Sequence, residues 1–362
     1  MSEGAAAELE IRGLSKSYGD FRAVDDLSLS VAKGEFITIL GASGSGKTTT
    51  LMMIAGFDYP SAGEILFRGR AITYMPPHLR NIGMVFQSYA LFPHLTVFDN
   101  IAFPLKLRRL KPPDVKIRVA AALGLVRLAP HATKHPAQLC GGQQQWVALA
   151  RALVFGPSLL LMDEPLGALD KSLREQMQLE IKRVQAATGV TILSVTHDQD
   201  EALAMSDRIV VMDKGRVEVV GSPLSIYERP ASRMVAEFMK ETNILHGRIV
   251  AVEGETARVE LPGGVEIRTA HNGLGTTGAQ VMCCLRPERI RLGKEAGLAN
   301  ARSASIQNKV YLGDVVKFHV ALPGMEGALA VKALATDAMR FLMPGDTVDV
   351  SWDDGDVQIL AA

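Results

Sequence analysis

One segment of eight residues constrains the fold of this chain more than any other: Gly-Ala-Ser-Gly-Ser-Gly-Lys-Thr at residues 41–48. It matches the phosphate-binding loop pattern G-x-x-x-x-G-K-[ST] in full. The apolar residues 36–40 before it predict a buried strand, and residues 47–56 predict the helix that follows. Glycine lets successive backbone N–H groups turn toward one anion, and the helix N-terminus adds its positive dipole. The segment therefore predicts a site for nucleotide phosphates.

The residue types in this loop predict how the nucleotide is held. Lys47 is expected to reach the β- and γ-phosphates, and the Thr48 hydroxyl to coordinate Mg²⁺. The alternative is an ordinary glycine- and serine-rich turn, and the flanking strand and helix argue against it. The residues predicted to bind the nucleotide here are Gly41, Ala42, Ser43, Gly44, Ser45, Gly46, Lys47, Thr48 and Thr49.

A pair of carboxylates ends a second apolar segment. Residues 159–164 read Leu-Leu-Leu-Met-Asp-Glu, and Pro165 follows them. Asp163 is predicted to hold the magnesium ion, usually through water. Glu164 is predicted to orient and polarise the attacking water as the general base. A phosphate-binding loop alone leaves kinases, GTPases and many ATPases open, and this pair favours a hydrolase.

Length and texture predict two domains. The chain has 362 residues, of which 48% are hydrophobic and 22% charged, as in globular proteins. Short apolar strands alternate with helices in the first two thirds, which predicts a mostly parallel sheet covered by helices. From about residue 244 the pattern changes to short alternating strands broken by glycine and proline. We expect an α/β domain over residues 1–240, with a helical subdomain at about 88–158, and an all-β domain over 241–362.

Charge and cysteine content exclude several classes of protein. The 39 basic and 39 acidic residues balance, so no basic field favours nucleic acid, and no nucleic-acid partner is expected. Cys140, Cys283 and Cys284 form neither a disulfide framework nor a metal site of known spacing. We expect neither a secretion signal nor a membrane span, because no basic, apolar leader and no run of about 18 apolar residues occurs.

The segment Leu-Cys-Gly-Gly-Gln at residues 139–143 resembles the signature motif of ATP-binding cassette (ABC) ATPases, which is usually Leu-Ser-Gly-Gly-Gln. Two glycines open a helix whose first N–H groups are free to bind a phosphate. In that family the phosphate belongs to ATP on the loop of a partner subunit. The resemblance thus implies a homodimer that encloses two ATP molecules, with Cys140, Gly141, Gly142 and Gln143 as contacts to them.

Further motifs of the family follow in the expected order, over residues 9–240. Tyr18 resembles the aromatic residue that stacks on adenine. Gln87 is similar to the glutamine that senses the metal and the attacking water, and His197 to the switch histidine that contacts the γ-phosphate. Residues 167–170, which include Ala168 and Asp170, resemble the loop that links the two sites. The resemblance implies Glu164, His197, Gln87 and Lys47 as catalytic residues and Thr48, Gln87 and Asp163 as metal ligands.

The C-terminal part resembles the OB-like regulatory (TOBE) domain of importer ATPases for maltose, polyamines, iron and sulfate. The resemblance lies in residues 285–290 and 311–314, and residues 54–57 and 80–87 look most similar to the polyamine (spermidine/putrescine) type. The implied fold is a P-loop NTPase domain followed by a small OB-like barrel. The implied protein hydrolyses ATP with Mg²⁺ at the cytoplasmic face of the plasma membrane. Its implied partners are a second copy, two permease subunits and, through them, a solute-binding protein.

Three positions depart from the family pattern, and rival interpretations stay open. Cys140 replaces serine, and a thiol is a weak hydrogen-bond donor. Trp146 replaces arginine, and Ala42 stands where proline is frequent. A catalytically weakened regulatory subunit is therefore one alternative, and an importer for iron, sulfate or sugar is another. A soluble ABC ATPase of DNA repair or translation is disfavoured, because the chain has neither a coiled-coil insertion nor a second ATPase half.

Overall fold

The computed structural model describes residues 7–167, 169–293, 298 and 300–360. The chain divides into two compact units, Met1–Pro223 and Leu224–Ala362. The first combines helices with a largely parallel sheet and the second is built mainly of antiparallel strands, which confirms the predicted fold class. No helix in the described part of the chain is both long and apolar enough to span a membrane.

The first unit contains six helices and ten strands among its described residues. Its strands are β1 (Ala7–Tyr18), β2 (Phe21–Ala32), β3 (Phe36–Gly41), β4 (Ala62–Phe67), β5 (Arg70–Ala71), β6 (Gly83–Val85), β7 (Leu159–Asp163), β8 (Thr191–Thr196), β9 (Arg208–Asp213) and β10 (Arg216–Gly221). Its helices are α1 (Lys47–Ala55), α2 (Val97–Leu107), α3 (Pro112–Leu125), α4 (Gly141–Leu153), α5 (Lys171–Thr188) and α6 (Gln199–Met205).

A six-stranded sheet forms the centre of this unit. Its order is β10-β9-β3-β8-β7-β6, and the strands are parallel except for β10. Every residue of β3, β7 and β8 is buried, as expected for apolar runs inside a parallel sheet. Because these three strands are neighbours, the segments that follow their carboxyl ends meet at one edge of the sheet. That edge carries the predicted catalytic residues.

A second, antiparallel sheet of order β2-β1-β4-β5 was not predicted. Strand β2 alternates buried and exposed residues, so only one of its faces enters the core. Leu9, Ile11 and Leu29 of this sheet pack in one cluster with Ile37 of β3 and Leu51 of α1. The antiparallel sheet therefore supports the strand and helix on either side of the phosphate-binding loop.

Helices α2, α3 and α4 lie between β6 and β7 in the chain. They share an apolar cluster of their own, which includes Ile101, Leu105, Val119 and Val147. Helix α2 starts at an N-cap, because the Thr96 hydroxyl accepts the Asp99 N–H at 3.1 Å. These helices occupy the region for which the sequence predicts a helical subdomain.

The second unit combines short helices with ten strands in the described ranges. Its helices are α7 (Pro223–Glu228), which begins at the boundary, α8 (Arg233–Met239) and α9 (Asp337–Phe341). Its strands are β11 (Asn243–Glu253), β12 (Thr256–Glu260), β13 (Glu266–Ala270), β14 (Gln280–Leu285), β15 (Arg291–Leu292), β16 (Asn300–Tyr311), β17 (Val315–Ala321), β18 (Leu329–Leu334), β19 (Thr347–Trp352) and β20 (Val357–Leu360).

These strands build more than the single small barrel that the sequence predicts. Strands β11-β12-β13-β20-β14 close a barrel, and β15-β19-β16-β17-β18 form a separate antiparallel sheet. Phe318, Val350 and the fully buried Trp352 of that sheet share one core with Ile249 of the barrel. The OB-like barrel is therefore one half of a larger all-β unit.

The boundary between the two compact units lies at residue 223, whereas the sequence places the domain boundary at residue 240. Arg286, buried in the second unit, accounts for the difference. Its guanidinium donates to the carbonyl oxygens of Tyr227, Ala236 and Lys240 at 2.9, 3.1 and 3.1 Å. Helices α7 and α8 are thereby tied to the all-β unit.

Candidate active site

The phosphate-binding loop follows β3 and turns directly into α1. Gly44 and Gly46 have φ of +79° and +98°, which only glycine adopts without strain. A Cβ on Gly46 would also collide with the Ala23 carbonyl oxygen, and one on Gly41 with that of Met212. Ala42, Ser43 and Gly44 are exposed, whereas Ser45 is buried. Loop glycines are therefore required both by the turn and by close packing against backbone.

Lys47 lies inside this loop. Its Nζ donates to the carbonyl oxygens of Gly41 and Ala42, each at 2.8 Å. Burial lowers the pKa of Lys47, and the nearby carboxylates of Glu164 and Asp163 oppose that shift. The Lys47 ammonium donates to carbonyl oxygens of its own loop. A bound phosphate would therefore replace neutral acceptors on this ammonium and not a carboxylate.

Two carboxylates follow each other at the carboxyl end of β7. The Thr48 hydroxyl is 3.4 Å from Oδ1 of Asp163, so a predicted pair of metal ligands lies together. Burial and the neighbouring Glu164 raise the pKa of Asp163, while Thr48 and Lys47 oppose the shift. Glu164 itself has a φ of +44°, a backbone conformation rare for a side chain with a Cβ.

Three predicted catalytic side chains meet at Glu164. Gln87 Nε2 donates to one carboxylate oxygen at 2.9 Å, and His197 Nδ1 lies 2.9 Å from the other. The three residues come from the segments after β6, β7 and β8, which are adjacent strands. The His197 side chain is 56% exposed and the Glu164 side chain 20% exposed, so a reacting group can reach both. The arrangement can hold and polarise a water molecule beside Glu164.

Tyr18 lies on β1, and the residue is 51% exposed. Its hydroxyl donates to the Asp58 carboxylate, and this hydrogen bond raises the pKa of the Tyr18 phenol. Lys16 also binds Asp58, at 2.5 Å, and its Nζ lies 4.9 Å from the centre of the Tyr18 ring. No sequence motif points to Asp58 or Lys16. Their contacts fix the orientation of the ring that is predicted to stack on adenine.

The predicted signature residues stand at the start of α4. Cys140 and Gly141 are exposed, and the Cys140 N–H donates to Oε1 of Gln143 at 3.2 Å. A Cβ on Gly142 would come within 2.9 Å of the Leu173 side chain. None of the hydrogen bonds of these residues among the described part of the chain reaches the phosphate-binding loop. Within one subunit the structure does not bring the two phosphate-binding segments together.

The loop before α5 ends in a helix cap. The Asp170 carboxylate accepts the Leu173 N–H at 2.9 Å and so starts α5. Ala168, which belongs to the same predicted loop, lies outside the described residues. Asp170 thus has a structural role within the subunit, and its predicted contact to nucleotide stays a prediction.

Thr49, the last of the residues predicted to bind the nucleotide in the phosphate-binding loop, lies on the first turn of α1 and is half-buried.

Arg151 is a further residue near the site that sequence reasoning missed. From α4 it donates to the carbonyl oxygens of Tyr89 and Ala90 at 2.9 and 2.7 Å. Both acceptors have positive φ and lie two and three residues after Gln87. A charged residue within the apolar stretch of α4 was the available signal. Arg151 therefore fixes the conformation of the loop that carries Gln87.

Trp146, the other departure in α4, packs against apolar residues. It contacts both the cluster of helices α2–α4 and the cluster that contains Leu160 and Met162 of β7. The indole therefore joins the helical part to the central sheet.

Comparison with known proteins shows which family the chain belongs to. Residues 24–167 match the family described as "ABC transporter", and residues 283–360 match the family described as "TOBE domain". A spermidine/putrescine import ATP-binding protein of Rubrobacter xylanophilus is 48% identical over 97% of this chain and 93% of its own. The chain belongs to the ABC transporter ATP-binding family. A Pseudomonas aeruginosa protein of the same description is 46% identical over 95% of this ABC ATPase and 96% of its own length.

Solved structures agree with this assignment for the first unit. The ABC ATPase resembles cbiO1 from Clostridium perfringens with a TM-score of 0.58 and 31% identity, over 61% of this chain and 90% of that one. It resembles MJ0796, a dimeric ATP-binding cassette bound to ADP and phosphate, with a TM-score of 0.54 and 33% identity, over 59% and 98%. The predicted enzyme class, an ATP hydrolase of the ABC type, is thereby confirmed.

Proposed function

We propose that this chain is the ATP-hydrolysing subunit of an importer for polyamines, and that two copies of it drive a pair of membrane-spanning permease subunits. The names of the relatives support the substrate, since those quoted are spermidine/putrescine import proteins at 46–48% identity over nearly the whole chain. The arrangement of Glu164, Gln87 and His197 supports the reaction. It is the observation on which the proposal mainly rests.

The site suits ATP together with Mg²⁺. Gly41 and Gly46 pack against the carbonyl oxygens of Met212 and Ala23, which fixes the path of the loop at residues 41–48, and the exposed Gly44 carries no side chain that would keep a phosphate from the backbone. Thr48, Asp163 and Gln87 supply oxygen ligands, which Mg²⁺ prefers. In the described ranges no group of three or more His, Cys, Asp or Glu is placed to hold a metal ion by itself. A magnesium ion does not need such a group, because it takes most of its ligands from phosphate and water. When bound, the ion would neutralise charge on the phosphates.

The side chains divide the work of hydrolysis as follows. Lys47 exchanges its two loop carbonyls for phosphate oxygens. Glu164 takes the proton of the attacking water, Gln87 orients that water, and His197 donates to the terminal phosphate. For this, His197 and Gln87 each release the Glu164 oxygen that they contact in the subunit alone. Catalysis consists of positioning and charge stabilisation, as in other phosphoryl transfers.

A second copy completes the site. The start of α4 is exposed and its first N–H groups can receive a phosphate. Among the described residues, none of the hydrogen bonds of residues 140–143 goes to the phosphate-binding loop of the same subunit. The dimeric ABC structure to which the first unit is similar supports a paired arrangement. In the proposed pair, residues 140–143 of one copy face the nucleotide held by the other.

An apolar groove in the first unit suits the permease. It encloses about 550 Å³, and Phe57, Met84, Leu107 and Phe155 are among its lining residues. Phe57 and Leu107 are largely exposed. A groove lined by exposed apolar side chains is typical of a protein-binding surface, because a bound partner removes these side chains from water. Docking here would hold the ATPase at the cytoplasmic face of the membrane.

The first experiment tests pairing. We expect Glu164→Gln, which removes the general base, to form a stable dimer with MgATP in size-exclusion chromatography with light scattering. The wild type should be monomeric once ATP is hydrolysed. Glu175→Gln, an exposed carboxylate elsewhere in the first unit, is the matched control and should behave like wild type. A Glu164→Gln protein that stays monomeric in MgATP contradicts the proposal.

The second experiment tests the cargo. The ATPase is reconstituted with its permeases in vesicles, and spermidine, putrescine, iron, sulfate and maltose are compared as substrates of ATP-dependent uptake. We expect uptake of the polyamines only. Uptake of another solute would make the chain an importer ATPase of a different kind. A complete transporter that neither hydrolyses ATP nor takes up any of these solutes would favour the weakened regulatory subunit, for which the Cys140 and Trp146 departures speak.

A further inference from the structure

Arg174 connects two loops of the active site. From α5 its Nη2 donates to the Leu169 carbonyl oxygen at 3.1 Å, and its Nη1 lies 2.6 Å from the Asp198 carboxylate. Leu169 belongs to the loop that leads from Glu164 to α5, and Asp198 directly follows His197. One side chain therefore joins the segment after the general base to the segment that carries the histidine.

Asp198 is held rigidly on its other side. Its Oδ1 accepts the N–H groups of Asp200 and Glu201 at 2.8 and 3.1 Å, at the start of α6. Its own N–H donates to the Thr196 hydroxyl at 3.0 Å. Because both carboxylate oxygens are engaged, a displacement of Arg174 acts on the whole turn after β8 and not on a free side chain. His197 lies within that turn.

The guanidinium has no competing attachment. Arg174 Nε lacks a hydrogen-bond partner among the described residues, so the hydrogen bonds of this side chain go to the two loops. Burial raises the pKa of the nearby Glu201 to about 8, which leaves that carboxyl largely neutral at pH 7. Asp198 is then the anion that pairs with Arg174. The side chains of Arg174 and Asp198 are 28% and 24% exposed, so solvent screens their attraction only in part.

We propose that Arg174 is a positioning residue that couples the loop at residues 165–170 to His197, and that this coupling makes hydrolysis at the two sites of the paired protein cooperative. The inference rests on the proposed function, because in the pair this loop is the one expected to link the sites. When the loop shifts, the Leu169 carbonyl moves, and the planar guanidinium of Arg174 moves with it because the two are hydrogen-bonded. The ion pair between Arg174 and Asp198 then displaces the turn that contains His197. His197 is 2.9 Å from Glu164, so a small displacement alters that hydrogen bond.

The test measures the ATP dependence of steady-state hydrolysis by the full chain in its transporter complex. We expect a Hill coefficient approaching 2 for the wild type and close to 1 for Arg174→Ala. Arg174→Lys should also give a value close to 1, because one ammonium cannot reproduce the two-pronged contact. Asp198→Asn keeps the oxygen that caps α6 and loses the ion pair, so it should resemble Arg174→Ala. The double variant should be no worse than Arg174→Ala alone.

Arg183 offers a matched control on the same helix. It also binds one carboxylate and one carbonyl, Glu180 at 2.6 Å and Leu125 at 2.7 Å, away from the site. Arg183→Ala should therefore leave the Hill coefficient unchanged, whatever it does to the melting temperature. If Arg174→Ala fails to fold, the Lys variant and Asp198→Asn decide the question.

Two results overturn the inference and leave the proposed function standing. One is a wild type that hydrolyses ATP with a Hill coefficient of 1, since there is then no cooperativity to transmit. The other is a wild-type Hill coefficient in both folded Arg174 variants. A wild-type complex that does not hydrolyse ATP at all is a different outcome, which overturns the proposed function itself and this inference with it.

Discussion

Replacing Glu201 with glutamine tests the electrostatics behind the His197 turn. Glu201 is 1% exposed, and only its Oε2 has a hydrogen-bond partner among the described residues, the Thr196 hydroxyl at 3.1 Å. Burial, helped by the negative charges of Asp198 and Glu164, raises the pKa of Glu201 from 4.5 to about 8, while Thr196 and Arg174 oppose the shift. The folded protein therefore holds a neutral carboxylic acid at a pH where the unfolded chain carries a carboxylate.

The sign of the pH dependence follows from proton binding. Between pH 4.5 and about 8 the folded state binds the Glu201 proton and the unfolded state releases it, so stability falls as pH rises. The contribution is fully present below pH 4.5 and is lost as pH approaches 8. Each pH unit within this window costs at most about 1.4 kcal/mol, so a rise from about pH 5.5 to about pH 7.5 should cost about 2–3 kcal/mol.

The assay is urea unfolding at several pH values, with Glu201→Gln as the comparison. The chain has two tryptophans, Trp146 and Trp352, one in each unit. In a Trp352→Phe background, fluorescence therefore reports the first unit alone. Glutamine does not titrate, so the gap in unfolding free energy between the two proteins should change by the 2–3 kcal/mol given above. Glu175→Gln, at an exposed position, should follow the wild type at every pH. A gap that does not vary with pH refutes the argument, because Glu201 would then be charged in the folded protein.

Three further changes test other parts of the structure. Cys140→Ser should raise ATP turnover about tenfold or more if the hydroxyl gains a charge-assisted hydrogen bond of about 1.5–3 kcal/mol to the partner's nucleotide, and unchanged turnover in the transporter speaks against this. Gly46→Ala should abolish ATP binding in calorimetric titration because its Cβ meets the Ala23 carbonyl, whereas Gly44→Ala, with open space around it, should bind more weakly but measurably. Arg80→Ala should lower the unfolding free energy by about 2–4 kcal/mol in urea titration. The buried guanidinium donates to four carbonyl oxygens, two of them in the last turn of α1, and these would lose their partner. A change under about 1 kcal/mol contradicts this expectation.

Short motifs made the centre of the site predictable from sequence. The glycines of residues 41–48, the acidic pair that ends β7 and the histidine after β8 each combine a strand end with a specific chemistry. Because parallel neighbours place their carboxyl ends at one edge, the topology brings such segments together without further information. The meeting of Gln87, Glu164 and His197 follows from this rule.

Contacts between distant residues were not predictable in this way. Asp58 binds Lys16 from 42 positions along the chain, and Arg151 reaches Tyr89 across 62. No local pattern encodes such pairs: a lone aspartate after a helix is ordinary, and the charge of Arg151 within an apolar stretch marks the residue without naming its partners. The antiparallel sheet of β1, β2, β4 and β5 was missed for a similar reason, because β4 pairs with β1 only after β2, β3 and α1 intervene in the chain.

The position of the second unit's start has the same explanation. Helices α7 and α8 follow β10 with no change in composition, and the sequence therefore assigns them to the first domain. A single buried arginine, Arg286, attaches them to the all-β unit through carbonyl oxygens. Backbone acceptors leave no trace in the sequence.

The grip of Arg151 on two backbone carbonyls has a mechanical consequence. Its helix belongs to the α2–α4 cluster, and the carbonyls belong to the loop that carries Gln87. If those helices rotate as one body, Arg151 moves the loop with them. The distance between the Gln87 amide and the Glu164 carboxylate then increases or decreases. A displacement of helices α2–α4 by an external contact would thus make or break the hydrogen bond between Gln87 and the general base, Glu164.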